Sequence, residues 1–575
     1  MKHALLCGAF IFMLHSIIIA QPTPYELGNG NQSTTYAQCL QWYHQLAATS
    51  PLVQIDSIGL TDIGLPLHAI IISKGHFDPI TAKAAGKAVV LINNGIHPGE
   101  TEGIDASMQL ARELAHDNEM QKLLNQLVII IIPIFNVDGS LLRNNFTRAN
   151  QNGPEQYGFR GNARNLDLNR DFAKLDSRNT QALVQFSRSW EPELYLETHT
   201  TNGADYQHIM TLIETQKDKL QGPAASWMSK QFSPALYAGM QAAGLPMTPY
   251  VNTIAAVPDS GIIGFLDGLR YGSGHMAAFG TLAYVLETHM LKPYNQRYQA
   301  TYELLNVCLQ QAAQKASELR QMVAASRKYI AEAQQLPLNW QLQPLKADTI
   351  EFLGYHSAYK ASNVHQYNRL YYDRSRPQNM RIPFYNHFEG IDSCQKPRAY
   401  LIPQAWGEII QRLQLNRIPL SRLQADTTLF VERQRIVAYE TVKNPYEGHY
   451  LHTQVAISPV HDTVLFRAGD YVVPMGYPSD HFVMQLLEAP AADSYFNWNF
   501  FDSILQQKEY YSSYVFEDTA AELLAAQPQL SAALEAWKAE QQNPPTARMQ
   551  LDFLYPQSGM AEPGLRILPI ARQNQ

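Results

Sequence analysis

His97 and Glu100 stand three positions apart in the stretch NNGIHPGETEG, between the apolar run KAVVLI and a helix-like segment. From a turn made by Pro98 and Gly99, the two side chains can aim at one centre. Zinc accepts imidazole nitrogen and carboxylate oxygen, and a catalytic zinc site takes three protein ligands and keeps one position open. In α/β proteins such sites gather at the carboxyl ends of strands, where this turn falls. A capping glutamate beside a surface histidine gives the same short pattern, so a third ligand is required. Two tripeptides offer one, Glu197-Thr198-His199 and Glu287-Thr288-His289, each closing an apolar strand. Residues i and i+2 of a strand share a face, so either Glu and His pair can look into one cleft. Between the turn and these tripeptides runs a polar segment from Arg143 to Asp171 with Arg148, Arg160, Arg164 and Arg170, and Arg178 just beyond. The guanidinium fork suits carboxylates; the plainer reading is a solvated loop.

In chain order, HPGE, NVDG, LDLNRD, ETHTTNGADYQ and VLETHM resemble the zinc carboxypeptidase family (carboxypeptidase A-like metallopeptidases), over roughly Tyr25 to Gln335. The resemblance implies one Zn2+ per chain held by His97, Glu100 and His199, with Glu287 as general base and acid. It implies that Asn169 and Arg170 hold a substrate's terminal carboxylate and that Asp167 orients His97, the usual partner of a ligating imidazole. The family's oxyanion-stabilising arginine corresponds best to Arg148, with Arg164 and Arg160 as alternatives. Its mobile tyrosine corresponds to Tyr271, at a spacing that departs from the usual one. The implied reaction is hydrolysis of the C-terminal peptide bond of a peptide with a free carboxylate, by a zinc-activated water. Two other readings share these residues. One is a zinc amidohydrolase acting on peptidoglycan stem peptides or acyl-amino acids; the other is a non-catalytic binding protein on the same fold. His208 is a weaker candidate ligand, His289 a structural or pocket-wall residue, Glu197 either a support for the site or a strand-end group, and Glu102 a first-turn glutamate favoured by the helix dipole.

The elements that must position these residues alternate. VQIDSIG, HAIIIS, KAVVLINNG, ELYLETH and TLAYVLETH read as strands, and LVIIIIPIF as a strand buried on both faces. IDASMQLARELA puts Ile104, Met108, Ala111 and Ala115 on one helical face, and helical material runs from Tyr294 to about Gln335. The expectation is an α/β domain over 21–335 with a mixed, largely parallel sheet flanked by helices. Over 336–575 Tyr and Pro become frequent and strands look shorter (RAYLIP, TLFVERQRIVAYET, DTVLFRAG, DYVVPMG), with one short helix in AWGEIIQRLQLNRI. This half is expected to be a β-rich α+β accessory domain. Its aromatic DSYFNWNFFDS reads as ordinary core rather than as a glycan-binding surface.

The 575 residues, 46% of them hydrophobic and 17% charged, suffice for two or three folded domains. A net charge of −7 without a Lys/Arg block gives no footprint for nucleic acid. Lys2, the apolar Ala4–Ala20 and the polar QPTPYE that follows have the layout of a secretory signal over residues 1–20, cut after Ala20. A secreted or periplasmic chain without a stable membrane span after cleavage is expected. Cys39, Cys308 and Cys394 are too few and too scattered for a disulfide framework and are read as free thiols.

Overall fold

The structure, a computed structural model, describes residues 21–574; the expected signal over residues 1–20 lies outside the described residues. Nine strands organise the first half: β1 (Val53–Leu60), β2 (Pro66–Ile72), β3 (Ala88–Asn93), β4 (Leu127–Ile132), β5 (Leu194–Thr201), β6 (Met210–Glu214), β7 (Thr248–Pro249), β8 (Ile262–Ile263) and β9 (Leu282–His289). Eight of them form one sheet in the order β1-β2-β4-β3-β5-β9-β6-β7. The four central strands β4, β3, β5 and β9 are parallel, while β1, β2 and β6 pair antiparallel toward the edges. This is the mixed, largely parallel sheet expected.

The centre is parallel because its strands are apolar on both faces. Val90 and Ile92 of β3 point into one core, with the helices Tyr36–Thr49, Glu102–His116 and Tyr294–Gln314. Val89 and Leu91 point into the other, with the helix Arg178–Trp190 and Met276 of the helix Gly272–Ala278. Both faces are thus covered, as a parallel sheet requires. Register then sets the site. His199 of β5 lies beside Glu287 of β9, and Glu197 beside Val285, while the turn carrying His97 follows directly after β3.

Beyond Glu332, where the helix Ala316–Glu332 ends, a six-stranded antiparallel sheet and a long hairpin take over. The expectation of shorter strands holds for Ala399–Ile402 and Tyr471–Pro474 but fails for two long hairpins. Asp348–Ala361 and Asn368–Tyr385 span 14 and 18 residues, and Thr427–Thr441 and His452–Phe466 span 15 each. Their faces alternate between half-buried and exposed, so apolar density is low, and Pro377, Pro383 and Pro459 interrupt the pattern. Proline is tolerated because these strands have free edges along much of their length: His452–Phe466 pairs with one neighbour, and Asn368–Tyr385 meets a second, β8, only at Phe384 and Tyr385. Three helices, Ser513–Ala526, Pro528–Glu540 and Ala547–Leu554, form a further small core that the sequence reading did not mark. The aromatics Tyr495, Phe496, Trp498 and Phe501 are buried core. Cys39 and Cys308 are buried free thiols and Cys394 is half-buried and free. Among the described residues no helix is long and apolar enough to cross a membrane.

Candidate metal centre

The turn after β3 and the end of β5 bring His97, Glu100 and His199 together in a buried group. His97 Nδ1 and His199 Nδ1 are 3.1 Å apart, and Glu100 Oε2 lies 2.9 Å from the second and 3.3 Å from the first. Bonds of about 2.05 Å to a tetrahedral ion set donors roughly 3.3 Å apart. The observed separations are within a few tenths of an ångström of that, and the donor set, two imidazoles and a carboxylate, suits zinc. Each imidazole has a carboxylate behind it. His97 Nε2 is 2.9 Å from Asp167 Oδ1, and His199 Nε2 is 3.4 Å from Glu197 Oε2. For His97, a proton held on Nε2 by Asp167 leaves the Nδ1 lone pair for a metal; the Glu197 carboxylate lies near His199 Nε2 and acts there through its charge. Glu197 is itself fixed by the hydroxyl of Tyr195, which donates to Oε1 at 2.6 Å and accepts from Asn93 Nδ2 at 2.9 Å.

The charges match. Burial works against an ionised Glu100, but His97, Arg148 and His199 around it hold its carboxyl well below the usual range. Burial likewise opposes ionised Asp167, and His97, Arg160 and Arg170 outweigh it, keeping the carboxylate charged. His199 is pulled down by burial and pushed up further by Glu100, Glu197 and Glu287, to about 10. A proton there occupies the place of a cation. Gly99 explains the HPGE turn: a Cβ at this position would meet Arg148 Cδ at 2.5 Å, so only glycine lets that arginine lie across the turn.

A cleft of about 500 Å3 opens over the group, with Arg148, Asn169, Arg170, Tyr250, Tyr271 and Glu287 in its wall. Burial, with Glu100 adding in the same direction against His199, Arg160 and Arg148, pushes the Glu287 carboxyl up to about 7. Arg148 donates to Glu100 Oε1 at 2.8 Å and to the Thr200 carbonyl at 3.0 Å. Arg160 grips Asp167 Oδ2 through Nε (3.0 Å) and Nη2 (2.8 Å), with Nη1 3.7 Å from Glu100. Arg164 instead donates to the Asp176 carbonyl at 2.6 Å and is not in the cleft wall. Asn169 Oδ1 accepts from Gly272 N at 3.2 Å, and the Arg170 guanidinium lies over the Tyr271 ring, 4.5 Å from its centroid.

Residues 39–222 match the model of the zinc carboxypeptidase family. Over that stretch, about a third of the chain, the sequence is similar to the family. The zinc carboxypeptidase stretch has named relatives on either side of it in length. A carboxypeptidase 2 of Trichophyton equinum is 22% identical over 433 residues, 72% of this chain and 74% of that protein. Carboxypeptidase A6 of Mus musculus is 32% identical over 139 residues, 23% of this chain and 29% of that protein. A metallo-carboxypeptidase structure from Burkholderia cenocepacia aligns with a TM-score of 0.38 at 17% identity, covering 50% of this chain and 70% of the other. The match and the buried donor cluster together support a zinc metallopeptidase.

Further polar residues are held in ways that local sequence does not specify. Glu102 is in the first helical turn, but its carboxylate is buried, pairs with the Arg297 guanidinium and accepts from Thr200 Oγ1 at 2.9 Å. An ion pair, rather than the exposed helix end, holds it. His208 bridges the Pro246 carbonyl (2.8 Å) and Leu353 N (3.1 Å), and His289 bridges the Ala204 carbonyl (2.7 Å) and Leu291 N (3.1 Å), so both rings are structural. Tyr250 and Phe265 line the cleft without a motif to announce them. Tyr446 and Glu447 reach the site's rim from the C-terminal half, where the sequence NPYEGH shows only a turn.

Proposed function

We propose that this metallopeptidase is an exported carboxypeptidase that removes the C-terminal residue of a peptide, with His97, Glu100 and His199 as its zinc ligands. The observation that carries the reading is the three-donor cluster with Glu287 beside it in register and Arg170 across the same cleft. Bound zinc would supply Lewis acidity, polarising the scissile carbonyl and acidifying a water. Glu287, beside His199 in register and in the cleft wall, takes the proton from the attacking water and delivers it to the leaving amine. Arg148, held against Glu100 and Thr200, offers its guanidinium to the developing oxyanion. Asn169 and Arg170 hold the terminal carboxylate, and Tyr271, packed on Arg170, covers that end of the substrate. Asp167 and Glu197 keep the imidazoles oriented.

A panel of peptides with free and amidated C-termini, with and without a zinc chelator, tests this reading. Cleavage is expected to be far faster for the free-ended peptides, with only a residual rate for the amidated ones, and to be abolished by the chelator. Equal cleavage of amidated peptides would sink it.

Zinc affinity should rise with pH. The proton on His199, whose pKa in the metal-free site is held up to about 10, must leave before Nδ1 can bind the ion. Below that pKa the apparent affinity increases about tenfold per pH unit for one displaced proton. Competition with a chromogenic chelator at two pH values reads the slope directly; a flat response would contradict a zinc-binding His199. Export is read from Lys2 and the apolar Ala4–Ala20, and the mature N-terminus determined by sequencing is expected at Gln21. An intact Met1 on the exported protein would refute the cut.

A further inference from the structure

We infer that the C-terminal half completes the carboxylate-binding part of the cleft, with Tyr446 as a positioning residue for Arg170. The inference rests on the reading of Arg170 as the grip on the substrate's terminal carboxylate. Arg170 Nε donates to the Tyr446 hydroxyl at 3.1 Å, and Nη1 donates to the carbonyl of its neighbour Asn169 at 2.8 Å. Asp167 Oδ2, the closest acid, stands 4.0 Å from Nη1. With Nε engaged, the guanidinium cannot swivel to present its Nε edge, and the end bearing Nη1 and Nη2 is the one left for a carboxylate. Two parallel N–H bonds from that end need a fixed ring plane. Tyr271 supplies a floor for that plane and Tyr446 its angle.

Tyr446 is itself anchored. It opens a tight turn closed by Tyr446 and His449, which exchange backbone hydrogen bonds at 2.7 and 3.1 Å, with Glu447 and Gly448 at φ of 52° and 84°. Glycine accepts that conformation freely; Glu447 does so at a cost. The same turn makes three bonds to the arginine-bearing loop: Tyr446 to Arg170, Glu447 Oε2 accepting from Asp167 N at 2.7 Å, and His449 Nε2 to Asp176 Oδ2 at 2.8 Å. The Tyr446 ring is stacked on buried Trp498 at 6.2 Å. A second arm from the same half reaches the other side of the clamp. Asp493 accepts from Arg270 Nε at 2.7 Å and from Arg270 N at 3.2 Å, fixing the residue next to Tyr271. Both residues that flank the Arg170 guanidinium are therefore set by the C-terminal half, one directly and one through its neighbour.

The test is Tyr446→Phe in the full chain, which removes one hydroxyl and keeps the stacked ring. KM for a free-ended peptide should rise roughly tenfold, the scale of one hydrogen bond to a charged group. Turnover at saturation should change less than about twofold, since the bond acts on binding rather than on the reacting atoms. The inhibition constant of the released amino acid should rise in parallel, and thermal unfolding should be unmoved. Arg170→Lys serves as the reference. If the wild type shows no preference for free ends, the clamp reading falls and this inference with it. If the wild type prefers free ends and Arg170→Lys abolishes the preference while Tyr446→Phe leaves KM unchanged, the inference alone is overturned. It is equally overturned if Tyr446→Phe lowers kcat and melting temperature together for free and amidated peptides alike, the mark of a merely structural hydroxyl.

Discussion

Replacing Glu287 with Gln is expected to leave zinc bound and to lower kcat by about 10^2- to 10^4-fold, the range of a lost general base and acid. The amide keeps the size of the carboxylate and, lying on β9 next to His199, disturbs none of the three metal-binding atoms. What it removes is the capacity to take a proton and give it back. Stoichiometric zinc measured by emission spectrometry, set beside single-turnover rates, checks both halves of the expectation. Near-normal turnover would take Glu287 out of the mechanism. The wild-type pH profile carries a companion result. Glu287 must be ionised to act as base, and burial and Glu100 raise its pKa to about 7 in the metal-free site. The charge of a bound metal acts in the opposite direction. Activity should therefore rise with pH through an acid limb whose midpoint lies below 7. A kcat/KM that is level across that range would point to a different proton acceptor.

Arg170→Met should reduce kcat/KM for free-ended peptides by roughly 100- to 1,000-fold, the consequence of leaving a carboxylate without its charged partner in a partly desolvated cleft. The residual cleavage of amidated peptides should be unchanged, so the ratio between the two substrate classes collapses. That ratio is the informative quantity, because a general loss of fold would lower both rates together. Lysine is a poor substitute here, since a point charge cannot reproduce two parallel bonds from a fixed plane. A ratio preserved in the methionine variant would show that the terminal carboxylate is recognised elsewhere, with Arg148 and Arg160 the remaining guanidinium groups on the cleft wall.

The route from sequence to site was uneven, and the reasons are physical. Strand periodicity and strand-end position made the central sheet legible. KAVVLI, LVIIIIPIF, ELYLETH and TLAYVLETH are the four parallel strands β3, β4, β5 and β9, because burial on both faces leaves an unbroken apolar run. Of the long hairpins in the C-terminal half, TLFVERQRIVAYET is legible as a strand, its partner only in part as DTVLFRAG, and the pair Asp348–Ala361 and Asn368–Tyr385 is not, because one solvated face and interior prolines dilute the same signal. Among the three arginines of one polar loop the resemblance favours Arg148 over Arg164 and Arg160, but their types and spacing alone do not separate them. Folding separates them: Arg164 turns to the Asp176 carbonyl, whereas Arg148 and Arg160 turn to Glu100 and Asp167.

By itself the sequence determined the chemistry available: a His and a Glu on one turn, two Glu-Thr-His strand ends, and an arginine-rich loop between. These are local patterns, set by spacing along a single turn or strand. Tertiary structure alone decided which copies meet. Parallel pairing of β5 with β9 put His199 and Glu287 side by side and left His289 to bridge backbone groups. Closure of the chain also brought Tyr446 to Arg170 across 276 residues. No local pattern encodes a contact of that separation, because it depends on how segments far apart in the chain pack against each other.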